Sequence, residues 1–250
     1  MHVFAVEGLP EVEAGDDVAG LIEERVDLRP DDVVCVASTI VSKAESRAFD
    51  LADFEAGERA EAIAERIGEL AGEDKDPRFA QAVLEESEEL LMESPIMLAV
   101  TRFGHITVNA GIDRSNVPGS DLLLLPEDPT ASAERISERL GVPVVVTDTS
   151  GRPFRHGQRG VAVGWAGLPA ARDWRGQCDR EGKELEATVQ AVVDELAAAS
   201  NLVTGEGSGG TPVAVVRDWE FGEFSGSDEL FREEADDLIR PAIKDYYARD

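Results

Sequence analysis

With 250 residues, 42% of them hydrophobic, the chain has enough apolar material for one large domain or two close lobes. A formal net charge of −28 and a pI near 4.3 argue against binding to a nucleic-acid backbone, whose phosphates the mean field repels. No apolar run reaches the roughly 18 residues that span a bilayer, and Met1 leads directly into a strand pattern with no targeting segment before it, so the expected location is the cytoplasm. Cys35 and Cys178 are the only cysteines, which makes a disulfide framework unexpected.

In chain order, residues 2–7 (HVFAVE) predict a first strand, followed by a turn over GLPEV (8–12). Residues 15–26 predict a helix whose acids suit its N-terminus and whose Val18, Leu21, Ile22 and Val26 share a face. Residues 31–38 (DDVVCVAS) predict a buried strand that leaves as a loop through Thr39, Ile40, Val41, Ser42 and Lys43. That exit serves equally as an ordinary connection or as a set of hydroxyls, N–H groups and one cation for an anion. Residues 55–70 predict an amphipathic helix burying Ala60, Ile63, Ile67 and Leu70. Residues 76–90 predict another, with the glutamate-rich stretch 85–89 on a solvated face. A hairpin is expected over 96–101 and 105–108 around Phe103-Gly104, and NAGIDRSNV (109–117) emerges from it. A strand over 122–125 precedes a helix from Asp128-Pro129-Thr130 to about residue 140.

The stretch 143–160, PVVVTDTSGRPFRHGQRG, predicts a buried strand that delivers Asp148, Thr149 and Ser150 into a Gly-Arg-Pro turn. A carboxylate at a strand end beside an open loop is where α/β architectures place ligands. Arg152, Arg155, His156 and Arg159 follow as a cationic cluster in an acidic chain. Residues 160–165 (GVAVGW) predict a strand whose two glycines admit a close neighbour. A long helix is expected over 185–202, with Val189, Val192, Val193 and Leu196 on its core face. It leads to the glycine loop TGEGSGGTP (204–212) and a last clear strand over 212–216. The tail, residues 227–250, predicts acidic helices with Ser227 as an N-cap.

Asp113, Asp148 and Glu206 each sit in a polar turn beside an apolar element, where hard oxygen ligands suit Mg²⁺ or Mn²⁺ completed by water and nucleotide phosphates. The same acids also suit plain turn or cap roles. The loop 205–210 can cradle phosphate with backbone N–H groups, but neither a P-loop nor a Rossmann fingerprint is present. A single Asp-Thr-Ser-Gly in a helix-rich chain argues against an aspartic protease. The absence of G-x-S-x-G and the positions of His2, His105 and His156 give no triad.

Taken together, GLPEV (8–12), ASTIVSKAESR (37–47), NAGIDRSNV (109–117), TDTSGRPFRHGQRGVAVGWAG (147–167) and the passage into GEGSGGTPV (205–213) resemble the coenzyme F420-0:L-glutamate ligase family, from about residue 3 to 217. The chain is expected to form a mixed α/β (α+β) ligase fold of two interlocked lobes, with residues 1–217 as the ligase domain and 218–250 as an acidic helical tail packed on it, a tail the resemblance leaves unexplained. The resemblance implies a homodimeric, GTP-dependent enzyme using two divalent cations, Mg²⁺ or Mn²⁺, with K⁺ also associated with the family. The reaction implied is amide ligation of L-glutamate to the lactyl carboxylate of the deazaflavin precursor, coenzyme F420-0, then of a second glutamate through a γ-linkage. Carried over by motif, Asp113, Asp148, Thr149 and Glu206 are the metal positions, and Asp113, Asp148 and Lys43 the catalytic ones. Leu9, Pro10, Glu11, Val12, Ser38, Thr39, Lys43, Asn116, Thr204, Gly205, Glu206, Gly207, Ser208, Gly209, Gly210 and Thr211 line the GTP site. Arg152, Arg155 and Arg159 are added here as grips for anionic substrate groups, because guanidinium binds carboxylate and phosphate bidentately; pairing with surface acids is their other reading.

A ligase of the same kind acting on another carboxylate acceptor, or a GTP-binding subunit without turnover, would share the motifs. Acidity spread along the whole chain, with four lysines against 20 arginines, resembles the adaptation of halophile cytoplasmic proteins, and activity and dimerisation are expected to need molar salt.

Overall fold

A computed structural model of the chain describes residues 1–115 and 117–247. In chain order its elements are β1 (His2–Ala5), α1 (Val18–Glu23), β2 (Val33–Ala37), α2 (Ser38–Ala44), β3 (Ala48–Phe49), α3 (Glu58–Ala71), α4 (Pro77–Glu85), β4 (Ser87–Met92), β5 (Leu98–Thr101), β6 (Ile106–Val108) and β7 (Leu122–Leu123). There follow α5 (Pro129–Leu140), β8 (Val144–Ser150), β9 (Arg159–Ala166), β10 (Ala171–Asp173), β11 (Val189–Ala191), α6 (Val192–Thr204), β12 (Val213–Arg217), β13 (Ser225–Ser227) and α7 (Ile239–Tyr247). The fold is mixed α/β, and its sheets match neither the P-loop nor the Rossmann pattern. It forms two compact units, Met1–Glu45 with Asp128–Leu230, and Ser46–Glu127 with Phe231–Asp250.

The first unit is built on a five-stranded sheet in the order β1-β12-β2-β8-β9, in which only β2 and β8 run parallel. The two central strands read as unbroken apolar runs because both faces are covered. Cys35, Val145 and Val216 pack with Val192, Val193 and Leu196 of α6, while the alternate positions Val34, Val36, Val144 and Val146 are equally buried. Asp128 opens α5 by accepting the Ala131 N–H at 2.9 Å, with Pro129 as its first residue, and Gly141 closes it in the left-handed conformation. A small sheet, β11-β10-β13, completes the unit.

The second unit packs α3 and α4 with the antiparallel sheet β4-β5-β6 and the short pair β3-β7. Leu51, Phe54, Ile63, Val83, Met97, Leu122 and Leu124 form its core.

Several elements differ from the sequence expectation. The first helix is confined to Val18–Glu23, and the expected loop after β2 is helix α2, which buries Ile40, Val41 and Ser42. The helix expected over 76–90 ends at Glu85: the Ser87 hydroxyl donates back to the Val83 carbonyl, and Leu90 pairs with Ala99 in a sheet. Its glutamates are not simply solvated. Glu86 pairs with Arg47, and Glu89 with Arg240 and Lys244 at 2.7 and 2.8 Å. Leu70, expected in the core, is exposed. Only Leu122 and Leu123 of 122–125 are strand, although all four leucines are buried. The long helix begins at Val192 and not at 185, because Val189–Ala191 pair with β10 and leave Val189 exposed. Ser227 lies in β13 and accepts the Glu229 N–H at 3.1 Å without opening a helix; the stretch beyond it carries a 3-10 turn, Glu234–Asp236, and α7.

Candidate functional site

Four oxygen-bearing side chains expected in the site form two hydrogen-bonded pairs in the first unit, Ser38 with Asp148 and Thr149 with Glu206. Asp148 and Thr149 lie within β8, opposite Val161 and Gly160 of β9, and not in a turn past the strand end. The pairing with β9 holds their backbone on one side, β2 having ended opposite Thr147, and as successive strand residues the two point their side chains to opposite faces of the sheet. Ser38, the first residue of α2, donates its hydroxyl to Asp148 Oδ1 at 3.3 Å. The Thr149 hydroxyl donates to Glu206 Oε1 at 3.1 Å, and the Asn201 side-chain amide donates to the same oxygen at 2.7 Å. Asn201 was not singled out from the sequence: its tie to Glu206 crosses the end of α6 at Gly205, where helical spacing gives no guide. Gly205 and Gly210 both have positive φ, +70° and +65°, so the chain turns back at these two points without a Cβ clash. The Thr211 hydroxyl closes the loop on the Thr204 carbonyl at 3.1 Å.

Beside this cluster in sequence, Lys43 on α2 forms an ion pair with Glu11. The Glu11 segment is tied down by Arg25, whose Nε donates to the Gly8 carbonyl at 2.9 Å, by the Gly15 N–H donating to the Ala44 carbonyl at 2.8 Å, and by buried Val12. Leu9, Pro10, Glu11, Val12 and Lys43 thus form one local assembly, with Thr39 on the same short helix as Lys43. Gly207, Ser208 and Gly209 lie on the exposed part of the 205–210 loop.

The arginines fall on the β8–β9 hairpin. Arg159 starts β9 opposite Ser150, and Arg152 and Arg155 lie in the loop between the strands. Among the described residues none of the three forms an ion pair, whereas Arg25, Arg47, Arg139, Arg217 and Arg240 all do. Arg152 Nη2 donates to the His156 carbonyl at 3.4 Å, while its buried Nε has no hydrogen-bond partner.

Asp113 belongs to the second unit. Its backbone exchanges hydrogen bonds with Leu123 at 2.9 and 2.8 Å, and its carboxylate accepts the Ser115 N–H at 2.7 Å and hydroxyl at 2.8 Å. The residues leading to it, Asn109, Ala110 and Gly111, all have positive φ, 55°, 54° and 71°. Two non-glycine residues held in that region mark local strain, which concentrates at functional segments. Asn116 lies outside the described residues.

The donors at Asp148 and at the Thr149–Glu206 pair are of the kind a hard cation takes. Two carboxylates and a hydroxyl offer oxygen alone, the preference of Mg²⁺ or Mn²⁺. Among the described residues no three His, Cys, Asp or Glu side chains gather in one place, so a cation at either pair would complete its shell with water and phosphate oxygens.

The family model described as F420-0:Gamma-glutamyl ligase matches residues 8–218 of the chain. Two proteins named Coenzyme F420:L-glutamate ligase from halophilic archaea are similar over nearly the whole length: that of Natronomonas pharaonis is 72% identical over 246 residues, covering 98% of this chain and 97% of its own. That of Halorubrum lacusprofundi is 67% identical over 247 residues, covering 98% of each. One of the same name from Archaeoglobus fulgidus is 47% identical over 250 residues, also covering 98% of each.

Proposed function

The chain belongs to the F420-0:Gamma-glutamyl ligase family, and on that premise we propose that it is a GTP-dependent ligase joining L-glutamate to coenzyme F420-0, then adding a further γ-linked glutamate. The observation that carries this reading is the match over residues 8–218, which takes in every motif around Asp148 and Glu206.

The chemistry follows from the acceptor. A carboxylate does not condense with an amine in water until one of its oxygens becomes a leaving group. In this reading the acceptor carboxylate oxygen attacks the γ-phosphorus of GTP, the bond to GDP breaks, and an acyl phosphate results. The glutamate amine then attacks the acyl carbon and releases inorganic phosphate and a proton. Little covalent work falls to the protein, whose part is positioning and charge compensation.

Asp113, Asp148, Thr149 and Glu206 are assigned to the divalent cations. When bound, such ions neutralise phosphate charge during in-line transfer. Ser38 and Asn201 orient Asp148 and Glu206 through the hydrogen bonds described above. Lys43, kept in place by Glu11, supplies a point charge to phosphate. The segment 9–12, Ser38, Thr39, Asn116 and the loop 204–211 are assigned to GTP, Arg152, Arg155 and Arg159 to anionic substrate groups, and the working form to a homodimer.

A mass-resolved assay in high salt, with GTP, Mn²⁺, L-glutamate and F420-0, tests the reading, run in KCl and in NaCl to expose any potassium requirement. The wild type is expected to give products heavier by one or more glutamyl units, and Asp148→Asn to lose at least about 100-fold in rate, the scale for removing one preorganised charged group. Bound GTP without a mass shift would move the assignment to another acceptor or to a subunit without turnover.

A further inference from the structure

We propose that Phe154, in the loop joining β8 to β9, is the platform on which the deazaflavin ring of the acceptor stacks, with Arg152 and Arg155 gripping the negative charge of the same molecule. The proposal rests on the ligase reading for the identity of the aromatic ligand.

Phe154 is 106% exposed, so neither face of its ring is covered by its own unit. Its φ is +63°, a left-handed conformation that a bulky L-residue adopts only at a cost. Gly151 and Gly157 flank the segment, and Gly157 already supplies a positive φ of +86°. A polar residue or another glycine would suit the Phe154 position better on structural grounds alone. Neither burial nor backbone ease accounts for phenylalanine here, so its use lies in what it meets outside its own unit.

The neighbours identify the chemistry. Arg152 and Arg155 form no ion pair among the described residues, in a chain with 52 acidic side chains available to them, and the buried Arg152 Nε has no acceptor. Planar guanidinium groups beside an open aromatic face suit a flat conjugated ring that carries an anionic arm. Phe154 follows Asp148 by six residues, a stretch spanning at most about 20 Å when extended. One elongated molecule can therefore place its ring on Phe154 while its carboxylate lies near Asp148 and Thr149. A second copy of the chain closing over Phe154 is the competing occupant.

The test titrates wild type, Phe154→Ala, Phe154→Trp and Phe154→Gly with F420-0 without GTP or divalent cation, following the ring's fluorescence, with sedimentation and thermal unfolding in parallel. Phe154→Ala and Phe154→Gly are expected to weaken binding about tenfold or more, the usual scale of a lost stacking platform, and Phe154→Trp to retain it. KM for F420-0 should rise with the alanine change while KM for GTP and glutamate hold. Phe154→Gly should keep or raise Tm, because glycine relieves the left-handed backbone. Unchanged F420-0 affinity in Phe154→Ala, an equal loss for GTP, or a loss that tracks dissociation of copies overturns the proposal. If the wild type neither binds nor glutamylates F420-0, the ligase reading fails and the stacking proposal with it; if the wild type does both and the alanine variant matches it, only the stacking proposal fails.

Discussion

Asp32 is fully buried just before β2, and its carboxylate accepts two N–H bonds from the Arg217 guanidinium at 2.8 and 2.7 Å and the Arg29 N–H at 2.8 Å. The Arg217 hydrogen bonds hold its pKa below the ordinary carboxylate range, against the upward push of burial. The folded pKa is thus lower than the unfolded one, so this carboxylate stabilises the fold fully above the unfolded value of roughly 3.9 and loses that contribution as pH falls through the depressed folded value. Asp194 runs the other way. Burial raises its pKa, so what it adds at low pH is gone once pH has risen through its folded value. Asp32→Ala leaves Arg217 without its carboxylate and is expected to cost about 3 kcal/mol at neutral pH. Thermal unfolding between pH 7 and 2.5 should show a shallower acid limb in the variant than in the wild type; parallel curves would refute the linkage. At this scale the sequence pointed to Thr149 and Glu206, each beside an apolar run, and the structure joins them by a hydrogen bond. The sequence did not reveal the Asp32–Arg217 pair, because 185 residues separate partners that meet only through the sheet.

Strand β9 shows what an element can encode in small residues. A Cβ placed on Gly160 would lie 2.4 Å from the Ala197 carbonyl oxygen of α6, and one on Gly164 would lie 2.3 Å from the Pro129 carbonyl of α5. Four residues apart on a regular strand, the two would face the same side. They meet different helices because the pairing with β8 slips between Val146 and Thr147, where Ala162 and Gly164 oppose successive residues and Val163 is the extra one. The Ala162 N–H at this bulge is taken by Asp194 Oδ1 at 2.9 Å. Both close approaches are to backbone, which cannot swing aside. Gly164→Ala and Gly160→Ala are therefore each expected to destabilise by about 2 to 3 kcal/mol, the upper range for overpacking, read as a lowered denaturant midpoint; a shift within about 0.5 kcal/mol, the range of neutral surface changes, would mean the helices move away freely. The glycines announced close neighbours in the sequence without naming them. The helix expected over 76–90 failed for a related reason: glutamate and leucine carry helical propensity, but Glu89, Leu90 and Leu91 are used by a sheet and by Arg240 and Lys244, and tertiary partners override local preference.

Across the whole molecule the dominant physical fact is a net charge of −28. Ion pairs such as Arg59 with Glu93 and Arg66 with Glu69 are exposed on both sides and contribute little each, so they do not offset the repulsion among the surplus acids. The Debye length falls from about 10 Å at 0.1 M salt to about 3 Å at 1 M, the range over which repulsion between acids on neighbouring turns and loops is removed. Stability, ligase activity and the proposed homodimer should therefore all strengthen as KCl rises from 0.1 to 2 M. Burying an interface between two bodies of this charge requires the same screening as folding one. Buried pairs are screened far less, so Asp32–Arg217 should hold throughout, and the Asp32→Ala penalty should stay nearly constant across the salt series. Unfolding midpoints of both proteins, with sedimentation and activity at each concentration, separate the two effects. An enzyme fully active and dimeric at 0.1 M KCl would show that its acids are spaced widely enough not to repel. A rising midpoint with an unchanged Asp32→Ala difference would place the salt requirement on the surface and leave the core outside it.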